Sequence, residues 1–163
     1  MRVHSLLVIL LAAVLPQCAP CETVHQAVRV PGLQRLARHS GLIFSGTVIR
    51  VEHLNPTSTG APAITQTTFR VQQEIRGVRA GQTIDVHEWS GLWQMGERYQ
   101  PGEQVVLFLY PSSRLGLTSP VGGEMGQFRV NKAGRVLLKT EDGRRAKVEL
   151  RNFAATVRRA ARE

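Results

Sequence analysis

The segment Leu42–Leu54, LIFSGTVIRVEHL, constrains the fold more than any other stretch of the chain. Leu42, Phe44 and Val48 share one parity, whereas Ile49 and Val51 share the other, with Arg50 and Glu52 polar beside them. Side chains of a strand alternate between its two faces, so a straight strand cannot keep one face buried through that switch. A β-bulge or a sharp bend is required, and Gly46 is where the backbone can coil. A long, bent first strand serving both halves of a closed sheet is what a small barrel needs.

The flanking pattern agrees with a mainly β chain. Pro31–His39 followed by Ser40-Gly41 reads as a short helix, with Leu33, Leu36 and Ala37 on one face. Asn55–Ala63 is a loop by composition. Thr65–Ile75 and Thr83–Trp89 alternate as strands, joined by a turn over Arg76–Gly81, with Ile84 and Val86 inward. Glu103–Tyr110 holds the unbroken run VVLFLY, which predicts a strand covered on both faces. A long loop, Pro111–Gly126, leads to Phe128 and Val130, then a turn at Asn131–Gly134, then Val136 and Leu138. Glu141-Asp142-Gly143 is a further turn. From Leu150 to Arg162 the residues Leu150, Phe153, Ala154, Val157 and Ala160 form the stripe of an amphipathic helix. Five or six strands, two peripheral helices and no strand–helix alternation predict one small antiparallel β-barrel.

The N-terminus reads as a leader rather than part of the fold. Arg2 and His4 precede ten unbroken apolar residues, Leu6–Leu15. A membrane-spanning helix needs about 20, so the run fits the apolar region of a secretory signal peptide. Cleavage after Ala19-Pro20-Cys21 gives a leader over 1–21 and a single domain over 22–163, exported to the periplasm or secreted. Cleavage before Cys18 with a lipid anchor competes, although Gln17 stands where a small residue belongs. Cys18 and Cys21 either leave with the leader or form a local disulfide in an oxidising compartment. A redox role would need a thioredoxin-like helix start that does not follow.

Short motifs carry a family resemblance. Ser40-Gly41-Leu42-Ile43-Phe44-Ser45-Gly46-Thr47-Val48 resembles the first strand of netrin-like domains, and Thr67-Thr68-Phe69-Arg70-Val71, Ile75-Arg76-Gly77 and Gly102–Leu109 continue the likeness. It covers about residues 18 to 110. The resemblance implies an OB-like barrel of the tissue-inhibitor-of-metalloproteinases kind. In that family an N-terminal C-x-C start chelates the protease zinc. Here Cys18 and Cys21 are spaced C-x-x-C and the later pinning cysteines are absent, so the fold is implied and the inhibitory mechanism is not.

No catalytic or cofactor motif emerges. His87-Glu88-Trp89-Ser90-Gly91 fails the zinc-protease pattern because Gly91 stands where the second histidine belongs. None of the five histidines sits at metal-ligand spacing from another. No nucleophile elbow or phosphate loop occurs, so catalytic, metal and cofactor-binding residues are expected to be none. The expected activity is that of an interaction module, inhibitor-like in the resemblance, binding a protein or an envelope component.

Two surfaces are candidates for it. Trp89, Trp93 and Tyr99 either make partner contacts or plug the end of the barrel, and the loop around Gly122 and Gly123 either joins them or covers the barrel end. The second candidate is charge. Of a formal net charge of +9, Arg129–Glu163 holds eleven Lys/Arg against four Asp/Glu. Arg151, Arg158 and Arg162, beside Arg159, line one face of the last helix. Such a face attracts anionic polymers, namely cell-wall polymer, lipid headgroup or acidic protein. Single-stranded nucleic acid is disfavoured, because Gln72, Glu74 and Asp85 stand where stacking aromatics would be needed.

Overall fold

The computed structural model describes residues 30, 32–56, 59–93, 98–139 and 143–162. Helix α1 (Leu33–His39) precedes strands β1 (Leu42–Leu54), β2 (Ile64–Arg76), β3 (Thr83–Trp89), β4 (Gln104–Leu109), β5 (Gln127–Val130), β6 (Arg135–Lys139) and β7 (Arg145–Glu149), and helix α2 (Leu150–Ala160) follows. The strands form one antiparallel sheet in the order β3-β2-β1-β4-β5-β6-β7.

This corrects the expected architecture in two respects. Among the described residues the sheet is open, not a closed barrel, and it has seven strands rather than five or six. Closure would require β4 to hand its free edge back to β3. Instead β4 pairs with β5, and the sheet runs on through β6 to β7. Among the described residues, what reaches the outer edge of β3 is one backbone bond, from the Thr118 N–H to the His87 carbonyl at 2.8 Å. The uncounted strand is β7, whose inward residues Ala146 and Val148 are small or short among Arg145, Lys147 and Glu149.

The parity switch in β1 is resolved by a bulge. Val48 lies opposite Phe69 and Arg50 opposite Thr68, so Ile49 is the extra residue, and it stands 51% exposed. Phe44 and Val48 before the bulge, and Val51 and His53 after it, therefore share one face. A second register shift falls at Ser45/Gly46. Gly46 also has no room for a side chain, since a Cβ there would stand 3.0 Å from the Arg70 carbonyl oxygen.

Apolar layers form on both faces of β4, as its unbroken run predicts. On one face Val106 and Phe108 join Ile43, Val130, Val136 and Leu138 beneath Leu36, Phe153 and Val157 of the two helices. On the other, the irregular register coils the sheet so that Phe69, Val71 and Val86 meet Val105, Leu107 and Leu109. The C-terminal ends of the helices share one cation. The Arg76 guanidinium donates to the carbonyls of Ala37 at 2.6 Å, Ser40 at 3.1 Å and Ala161 at 3.3 Å. A positive charge there meets the orphan carbonyls and the negative ends of both helix dipoles.

Candidate functional site

The three aromatic candidates part company. Trp93 and Tyr99 are buried, and Trp89 is 51% exposed. The two buried rings are part of the second core. Trp93 meets the exposed His53 ring edge-on at 6.0 Å and Tyr99 at 5.4 Å, and Tyr99 meets Phe69 at 5.5 Å. Trp89 ends β3 opposite Ile64, with its indole over Gly91, where any Cβ would strike the ring.

Beneath these rings lies a polar cluster that no sequence motif marks. Glu88 is fully buried, and its Oε1 lies 3.4 Å from the Arg98 guanidinium. Its Oε2, the Tyr99 hydroxyl, the Trp93 Nε1 and the Thr67 Oγ1 have no hydrogen-bond partner among the described residues. Glu88 and Tyr99 nevertheless lie close enough to shift one another's titration. Burial pushes the Glu88 carboxyl up to about 7, against the opposing pull of Arg98 and Tyr99. Burial and the neighbouring Glu88 charge push the Tyr99 phenol well above its ordinary value. At the rim, Thr65 Oγ1 lies 3.0 Å from both His53 Nδ1 and Ser90 Oγ. The signal for Glu88 was its parity, shared with the inward Ile84 and Val86. Among the described residues no cluster of metal-capable side chains occurs.

The end of the loop after β4 packs on the sheet, while Gly122 and Gly123 themselves are exposed. Val121 is buried, and its N–H donates to the Phe108 carbonyl at 2.7 Å. Gly122 and Gly123 both adopt left-handed φ, 67° and 65°, to turn the chain over into a short 3-10 segment, Gly123–Gly126. Gly126 ends it against backbone. A Cβ would stand 2.5 Å from the Val121 carbonyl oxygen and 3.1 Å from that of Phe108. Gly126→Ala should therefore destabilise the fold by about 1–3 kcal/mol, read as a lowered urea midpoint. An unchanged midpoint would show that the loop does not seal the sheet.

Charge concentrates on two opposed surfaces. On α2, Arg151, Arg159 and Arg162 are exposed, but the half-buried Arg158 is committed to the fold, donating to the Glu74 carbonyl. The larger basic surface is on the sheet. Val136, Leu138, Ala146 and Val148 face the helices, so Arg135, Leu137, Lys139, Arg145, Lys147 and Glu149 face away, as does Arg129 of β5. All of these outward residues are exposed. Arg135 pairs with Glu149 at 2.9 Å and Arg129 with Glu103 at 3.8 Å. Lys139 and Arg145 stand directly opposite one another across the strands. Like charges in that position repel. Residues 140–142 of the connecting hairpin, two of them acidic, lie outside the described residues. The alternation of basic residues with Val136, Leu138, Ala146 and Val148 was the available signal, overshadowed by the clearer periodicity of the helix.

Cys18 and Cys21 also lie outside the described residues, as does the whole leader over 1–21. Among the described residues no helix is long and apolar enough to cross a membrane. No protein-family model matches the chain, and no curated protein does.

Proposed function

We propose that the chain is an exported, non-catalytic binding module whose working surface is the bare basic face of β5–β7, and that its partner is an anionic component of the cell envelope. One observation carries this reading. Five cations, Arg129, Arg135, Lys139, Arg145 and Lys147, share with two acids one sheet face that no other described residue covers, and Lys139 stands directly opposite Arg145. Like charges held opposite one another favour the arrival of an anion between them. The apolar run Leu6–Leu15 supports export. The netrin-like resemblance of β1 and β4 supports kinship with secreted binding domains, on an open sheet rather than a barrel. With Trp93 and Tyr99 buried, Trp89 is the one of the three candidate aromatics left to meet a protein partner.

Sedimentation of the protein with isolated envelope material tests the reading. Binding should weaken steeply as salt rises, and the triple variant Lys139→Glu, Arg145→Glu, Lys147→Glu should lose it at all salt concentrations. Binding that ignores salt, or that survives in the triple variant, would overturn it.

A further inference from the structure

We infer that the partner of the basic face is the surface of an anionic lipid bilayer, into which Leu137 inserts shallowly among the cations. The inference rests on the reading above and names its occupant. Leu137 is 40% exposed at the centre of the patch. Arg135 and Lys139 flank it along β6, Lys147 stands directly opposite on β7, and Arg129 lies on its other side on β5. A soluble polyanion gains nothing from a leucine surrounded by cations. A bilayer interface takes both, the cations meeting phosphates and the apolar side chain entering between headgroups. The long stems of Arg145 and Lys147 can lie along the apolar boundary while their charges stay in water. The geometry also selects one surface. The outward arginines of α2 lie on the opposite side of the sheet, so a flat bilayer that meets Leu137 cannot meet Arg151 or Arg159.

The test is co-sedimentation of the purified chain with vesicles of phosphatidylcholine containing about one-third phosphatidylglycerol. Pure phosphatidylcholine vesicles report any contribution of the apolar N-terminal run. The chain should bind the anionic vesicles and leave them as salt rises. Lys139→Glu with Arg145→Glu should weaken binding at least about 20-fold. Leu137→Ser should weaken it about fivefold with an unchanged salt dependence. Arg151→Glu with Arg159→Glu should leave it within about twofold. All these positions are exposed, so each variant should keep the circular dichroism and melting of the wild type. Unchanged binding in Leu137→Ser, or loss in the α2 variant alone, would overturn the inference. Inorganic polyphosphate separates the two levels. Binding to polyphosphate but not to vesicles would overturn the bilayer as occupant and leave the anion-binding function standing. Binding to neither would overturn both.

Discussion

Phe153→Ala should destabilise the protein by about 3–5 kcal/mol, the largest effect expected of any single substitution considered. Phe153 is buried where α2 meets the sheet, with its ring 5.3 Å from Phe128 and 6.5 Å from Phe108. Truncation leaves a cavity on the helix side of β4 and β5. The surrounding residues Val106, Val130, Val136 and Leu138 are held by the sheet and can collapse only in part. The helix cannot compensate alone, because 11 residues are too few for stable helicity in water without docking. A domain of ordinary stability, about 5–15 kcal/mol, would lose about a fifth or more of it. Urea titration reads the effect. A midpoint near that of the wild type would mean that α2 does not pack here.

Glu88→Gln should change how stability depends on pH. The folded protein holds the Glu88 carboxyl at about 7, above its ordinary 4.5. A raised value means that the fold favours the neutral acid. Its contribution is complete below about pH 4.5, falls as pH climbs through 7, and is lost above. The gap between the two values corresponds to about 3 kcal/mol. Glutamine keeps the shape and stays neutral, so the variant should retain at pH 8 the stability that the wild type loses between pH 4 and pH 8. Arg98, still 15% exposed in its side chain, can hydrate once its partner is neutral. Chemical denaturation of both proteins across that range gives the difference directly. Parallel profiles would show that Glu88 is ionised and satisfied at neutral pH.

Much of the fold was legible because local pattern carried it. The bounds of β1 and β3 follow from sequence, and the parity switch between Val48 and Ile49 demanded the bulge that the register shows. The run VVLFLY announced two covered faces, and β4 has them. What covers them was not local information. A bent first strand suits a closed barrel, whereas α1 and α2 roof one face and the open edge of β4 goes to β5. Pairing order is decided by which edges find partners, and no periodicity encodes it. Strand β7 escaped notice because Ala146 and Val148 are weak inward signals. The basic sheet face went with it, since its cations were grouped by sequence proximity with the helix. Glu88 was legible in parity yet was passed over, because a buried acid is rare enough that a charge is read as outward. Trp93 and Tyr99 are buried in the second core, which depends on the path of the chain around Ser90–Trp93.

The most direct test of the working surface is amide and methyl NMR of the isotopically labelled chain during titration with bicelles containing phosphatidylglycerol. Shifts should centre on Arg135–Lys139 and Arg145–Glu149, with the Leu137 methyl groups among the most affected and salt reversing the effect. Shifts centred on Trp89–Trp93, or on the outer face of α2, would contradict the assignment of the basic sheet face as the site of binding.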